Sequence, residues 1–305
     1  MHNIFSHLAN QITKSILLSL LFGGLLFGCT SISEQEQLIS IKRDGVVTRS
    51  NGDCSKTKSN KIQAEISLPG FSSDSISIFD WNMHKGKNQN WTLDFLNLSH
   101  GKDIIFLQEA SLTEKLKQIL HGNTMVWNMN AAFKYKGVET GVLFASTIQP
   151  LSSCGLRQKE PLIRIPKTIL INRYKITDST QVLLTANIHG INFSPGTGSY
   201  QEQFTRLLDI LEMHEGPMIL AGDFNNWNTK RTSIVKHLAE RLSLQALMFN
   251  NEGRTTFFGN SVDHIFYRGL EVVTHAVHQV ISSDHNPISV IFRLAHTQTV
   301  LESNQ

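Results

Sequence analysis

An α/β (α+β) domain with a large sheet core is the fold class that this 305-residue sequence predicts. Three observations carry the expectation. Apolar runs of strand length recur along the chain, segments of helical periodicity interleave with them, and no repeat or second domain divides residues 75–295. The composition, 40% hydrophobic and 17% charged, is that of an ordinary globular protein. A net charge of +3 is too small for a dedicated nucleic-acid packager and leaves the partner open.

The chain begins with a different texture. Lys14 precedes "SILLSLLFGGLLFGC", an apolar run of signal-peptide length that is short for a spanning helix. With Leu26 at −3 and Gly28 at −1, Cys29 resembles the acylated cysteine of a bacterial lipobox, although Phe27 is bulkier than usual at −2. Residues 1–29 therefore read as a signal peptide with lipobox, with an uncleaved membrane anchor or a plain secretory signal as alternatives, all of them facing the domain to an extracytoplasmic space. Thr30 after the cysteine suggests the outer membrane within the lipoprotein reading. Residues 30–74 are polar and mixed, and "NGDCSKTKSNK" reads as a tether. Residues 296–305 form a C-terminal tail. In an exported chain Cys54 and Cys154 could join, or remain two buried thiols.

From Ser75 the elements follow in order. "SISIFDWN" alternates and then runs apolar, as a strand does; "WTLDFLNLS" fits a short helix and "DIIFLQEA" a buried strand. "SLTEKLKQIL" is a helix with Ser111 as N-cap and Glu114 three residues on, a capping-box pattern. Strands are expected at "TGVLFAS", "TILINRYKI" and "QVLLTANIH". The clearest amphipathic helix is "YQEQFTRLLDILEMH", with Phe204, Leu207, Leu208 and Leu211 on one face. A buried strand at "PMILAGDF" and a helix at "RTSIVKHLAERLSL" come next, and "VDHIFYRGL", "EVVTHAVHQV" and "NPISVIFRL" close the domain as strands.

Polar groups cluster where these strands end or begin: Asn82, Glu109, His189, Asp223 with Asn225, Asp263, and Asp284 with His285. Glu109, Asp284 and Asn82 supply hard oxygen ligands, a set for Mg²⁺ or Mn²⁺ rather than zinc. Asp223 and Asn225, spaced i, i+2, point to one side if the strand continues. Two imidazoles beside carboxylates can be tuned for proton transfer. A metal, a histidine and a polarised water together suggest hydrolysis of a phosphate ester.

In the order "WN", "LQEA", "NIHG", "AGDFN", "VDHIFY" and "SDHNP", these residues resemble the endonuclease/exonuclease/phosphatase (DNase I-like) superfamily over residues 75 to 293, and within it an uncharacterised bacterial subgroup. The resemblance implies a four-layer sandwich, two mixed sheets face to face with helices outside. It implies that Glu109 binds the metal with Asn82 and Asp284 close by. His285 would be the general base, oriented by Asp263, while Asp223 and Asn225 position water and hold the phosphate. His189 would be a general acid or phosphate donor. Where DNase I-like enzymes carry Arg before Glu-Pro, "RQKEP" has Lys159, which lacks the bidentate fork, and Arg157 is the alternative phosphate contact.

The function expected is a divalent-metal-dependent phosphodiesterase or nuclease outside the cytoplasm. Lys134, Lys136, Arg157, Lys159 and Arg164 would offer nucleic acid a basic rim. Hydrolysis of a lipid headgroup, as in sphingomyelinases, or of inositol phosphates is the alternative. A catalytically silent binding module is disfavoured by the intact polar set.

Overall fold

The computed structural model describes residues 30–31, 37–54, 68–249 and 253–295. Cys29, the apolar run before it and the tail 296–305 lie outside the described residues.

Two sheets face each other. The first orders as β16 (Leu270–Val277), β17 (Ile288–Leu294), β4 (Ile76–Asn82), β5 (Ile104–Ser111), β7 (Val138–Ser146), β6 (Val126–Tyr135), β2 (Leu38–Ile41) and β3 (Val47–Ser50), with β1 (Thr30–Ser31) also on β6. The second orders as β12 (Gln245–Ala246), β15 (Asp263–Arg268), β11 (Met218–Asp223), β10 (Val182–His189), β9 (Pro166–Lys175) and β8 (Ser152–Lys159). A small hairpin, β13 (Thr256–Phe257) with β14 (Asn260–Ser261), stands apart. Helices α1 (Trp91–Ser99) and α2 (Glu114–Gly122) cover the first sheet; α3 (Gly198–Leu211) and α4 (Thr229–Arg241) cover the second.

Strand alternation sorts the side chains into three apolar layers. In β4, Ile76 and Ile78 pack between the sheets with Leu170, Ile219 and Ile265, whereas Phe79 and Trp81 pack with Phe95 of α1 and Leu116 of α2. Leu184, Ala186, Ile188 and Leu220 face Phe204, Leu207 and Leu238 on the other side. The result is the expected four-layer sandwich.

Three expectations are corrected. The tether contributes strands, because Leu38 and Ile39 are apolar enough to extend the first sheet and Ile39 pairs Met129. The α2 N-cap is Thr113, whose side chain accepts from Leu116 N at 3.2 Å; Ser111 instead ends β5, paired with Thr140. Strands β6 and β8 went unread in the sequence because their inward positions are partly polar. Asn128 and Asn172 exchange side-chain hydrogen bonds of 2.7 and 3.0 Å between the sheets, and Asn130 donates to the carbonyls of Leu156 and Ile169.

Cys54 and Cys154 form a disulfide, with Cα atoms 4.9 Å apart. It fastens the segment after β3, a strand of the first sheet, to β8 of the second. The bond closes a loop with a sequence separation of 100, so the chain-entropy argument gives about 2–5 kcal/mol of stabilisation. Cys154→Ser is expected to lower the thermal midpoint under oxidising conditions and to make it insensitive to dithiothreitol; an unchanged midpoint would remove this role.

Candidate active site

The sheet register assembles the site. In the parallel pair β10–β11, His189 lies opposite Asp223, and in the antiparallel pair β11–β15, Asp223 lies opposite Asp263. One row across three strands thus holds an imidazole and two carboxylates. On the facing sheet Asn82 closes β4 beside Gln108 of the parallel strand β5. These are the carboxyl ends of the parallel strands, where open α/β sheets bind ligands.

Gly222 lets the two strands approach. A Cβ there would lie 2.2 Å from the Ile188 carbonyl oxygen, so only glycine fits before Asp223. The turn that follows puts Asn225 in the left-handed region, φ 50°. Its backbone N–H then donates to Asp223 Oδ1 at 2.9 Å and its side-chain amide to Asp223 Oδ2 at 3.1 Å. Asn82 Nδ2 donates to the same Oδ2 from the other sheet, also at 3.1 Å. Buried Arg231 of α4 fixes the turn by donating to the Asn225 carbonyl at 2.9 Å and to Ile191 and Asn192 in the loop after His189.

Glu109 owes its direction to a bulge. The β5–β7 register shifts between Leu107 and Ala110, and Glu109 sits there at φ 50°. Plain alternation would send it toward the helices with Leu107; the extra residue re-aims it. A left-handed non-glycine residue costs about 1–2 kcal/mol, which marks the position as held for a purpose. Its carboxylate is paired with the Lys85 ammonium, with Lys167 Nζ and His189 Nε2 each at 3.9 Å from the other oxygen. Burial alone would raise its pKa; the Lys85 and Lys167 charges overcome this and hold it well below the usual carboxylate range.

His285 is carried by the loop before β17. Trp81 Nε1 donates to its carbonyl at 2.9 Å, and Ser283 Oγ bridges to the Asn82 carbonyl at 2.7 Å. Its Nδ1 lies 2.8 Å from Asp263 Oδ2, and its Nε2 4.0 Å from Asp223 Oδ2. Burial opposes the charged imidazole, but Asp263 and then Asp223 lift its pKa to about 10. Burial pushes Asp223 up to about 6 against the pull of His285.

His189 is buried, and Lys167 Nζ lies 2.6 Å from its Nε2. Burial and then the Lys167 charge hold this imidazole well below its ordinary pKa, hence neutral, with Nε2 accepting. The proton donor presented at this point is therefore the lysine. Of the expected phosphate contacts, Arg157 donates to the Ala132 carbonyl, and Lys159 is exposed at the end of β8. Lys85 and Lys167 are the cations brought onto the carboxylates. Neither stands out in the sequence, although the run "HKGK", one residue after "WN", is a visible signal for Lys85.

Asp223, Asp263 and His285 offer ligand atoms all within 4.8 Å of one another, and Glu109 adds a sequestered carboxylate already turned toward cations. The carboxylates are hard donors that fit a divalent ion, and the imidazole is a borderline one. Asp284, half-exposed, faces His84 Nδ1 at 3.3 Å.

Comparison with known proteins agrees with this geometry. Residues 81–285 match the Endonuclease/Exonuclease/phosphatase family. A UPF0294 protein of Vibrio campbellii is 37% identical over 72% of this chain and 78% of its own length. Another, of Vibrio vulnificus, is 36% identical over 93% of this chain and 98% of its own. Among solved structures, the human Nocturnin catalytic domain with bound sulfate superposes with a TM-score of 0.56 at 15% identity, covering 75% of this chain and 97% of that one. ANGEL2, a 2',3'-cyclic phosphatase in complex with adenosine-2',3'-vanadate, gives 0.55 at 14% identity over 72% and 96%. The match over residues 81–285, which runs from the tryptophan at the end of β4 to the histidine paired with Asp263, places this chain in the endonuclease/exonuclease/phosphatase family.

Proposed function

We propose that this protein is a divalent-metal-dependent phosphodiesterase that acts outside the cytoplasm, with nucleic acid as its favoured substrate class. The observation that carries the reading is the His285–Asp263 pair set against Asp223, with amides of Asn82 and Asn225 on the same carboxylate. Asp263 fixes the imidazole so that Nε2 faces the Asp223 side, where it takes a proton from water. Asp223, with Asn82 and Asn225 fixing its oxygens, orients that water. Lys167, held by neutral His189, meets the phosphate oxygens as charge builds on them. A Mg²⁺ or Mn²⁺ ion held by Glu109, Asn82 and Asp284 would polarise the phosphate and stabilise the leaving oxygen. Of the carboxylates that raise the His285 pKa, Asp284 is the one this ion would neutralise, and the loss of its pull would favour the unprotonated imidazole that a base requires.

A second reading, hydrolysis of a lipid headgroup, is favoured by one feature. Phe258, 82% exposed, tips the β13–β14 hairpin, and the ring of its neighbour Phe257 lies tilted 6.2 Å from that of His285. The basic rim supports nucleic acid less than expected, since Lys134 and Arg49 share Glu139. The test offers the purified chain plasmid DNA, RNA, sphingomyelin and inositol phosphates with Mg²⁺ or with EDTA. Metal-dependent turnover of a nucleic acid is the expected result; turnover of sphingomyelin alone would transfer the assignment to lipids, and silence on all four would defeat it.

The exported, membrane-held location rests on the lipobox-like Cys29 and gains support from the Cys54–Cys154 disulfide, a bond of oxidising compartments. Cys29→Ser is expected to move the protein from the membrane fraction to the soluble fraction; unchanged fractionation would favour an uncleaved helix.

A further inference from the structure

The turn that follows β4 engages every group assigned to the metal. His84 and Lys85 adopt φ 47° and 62°, left-handed conformations that side-chain-bearing residues avoid, and Gly86 follows at 62°. Local contacts hold the shape. Gly86 N donates to the Met83 carbonyl at 2.9 Å, Lys87 N to the His84 carbonyl at 3.2 Å, and the Trp91 indole covers Gly86 so closely that a Cβ would meet it at 3.0 Å. The backbone strain is matched by what the turn reaches. His84 N donates to Asn82 Oδ1 at 3.2 Å, His84 Nδ1 stands 3.3 Å from Asp284 Oδ1, and the Lys85 ammonium pairs with Glu109 Oε2. Lys87 adds a second ammonium to the same turn.

We propose that the His84–Lys85 turn is an internal counter-ion for the metal site, displaced when the metal binds and then free to hold the phosphate of the substrate. The inference rests on the assignment of the metal to Glu109, Asn82 and Asp284. A carboxylate as enclosed as Glu109 is costly to keep charged without a nearby cation, and Lys85 supplies one. A divalent ion can take the same oxygens only by displacing the ammonium. The displaced lysine remains on its turn at the mouth of the site, beside the place where an anionic phosphate must come. Metal and phosphate then strengthen each other's binding, and the coupling is reciprocal.

The test needs no turnover. Mn²⁺ binding to the full-length chain is measured by electron paramagnetic resonance, without and with inorganic phosphate. Lys85→Gln is expected to bind Mn²⁺ roughly tenfold more tightly than the parent and to lose most of the gain that phosphate gives the parent. Glu109→Gln should bind Mn²⁺ weakly in both backgrounds. Unchanged or weaker Mn²⁺ binding in Lys85→Gln, with Glu109→Gln defective, would overturn the counter-ion role and leave the metal assignment standing. Unchanged binding in both variants would overturn the metal assignment itself. A measurement on the parent guards against a folding defect: Mg²⁺ titration followed by NMR should shift the Lys85 side-chain resonances, and their constancy through saturation would overturn the proposal.

Discussion

His285→Ala lowers turnover of a phosphodiester by about 10²–10⁴-fold, the range for loss of a positioned general base. The expectation follows from geometry. The imidazole is buried, both Asp263 oxygens lie within 2.9 Å of its Nδ1, and the remaining nitrogen faces Asp223. No other imidazole has that arrangement among the described residues, since His189 has its Nε2 occupied by Lys167. Alanine also leaves Asp263 buried without its partner, so some loss of stability accompanies the loss of rate. His285→Gln, which fills the space, separates the two effects: it should fold like the parent and still be slow. Steady-state kinetics at saturating metal is the measurement, and near-parental turnover in a folded variant would refute the assignment.

Glu109→Gln is expected to cost a comparable factor, about 10²–10³-fold, with the metal concentration for half-maximal rate displaced upward. The substitution preserves shape and the bulged backbone but removes the negative charge on which Lys85 and Lys167 converge. Two ammonium groups then face each other across a neutral amide, and a divalent ion has no reason to enter. Rate measured against Mn²⁺ concentration checks this; parental rate at ordinary metal concentration would place the ion elsewhere, with the Asp223–Asp263–His285 group as the next candidate.

Much of this site was legible because strand ends announce themselves. An apolar run such as "MILAG" that stops at Asp223, or "DIIFLQ" at Glu109, locates both a core strand and the polar group it delivers. The sheet row His189–Asp223–Asp263 is invisible in one dimension, because register depends on which strands pair. Lys85 and Lys167 were missed for a related reason. A lysine in a turn, or at the second position of a strand, reads as solvated surface until the fold shows which carboxylate it meets. Strand β6 was hidden by Asn128 and Asn130, whose inward amides interrupt the apolar run of a buried strand while bonding across to the second sheet. Strands β2 and β3 were hidden by length, four residues each in a polar neighbourhood.

The disulfide also decides how the protein carries load. Tension entering from the N-terminal side passes along β2 and β3 to Cys54 and then crosses directly to Cys154 on β8. Along the covalent path the segment between the two cysteines, which carries Asn82 and Glu109, is bypassed, while His189, Asp223, Asp263 and His285 lie beyond Cys154. Were the chain extended from its two ends, the bond would keep the strands that carry Asn82 and Glu109 out of the covalent path of extension.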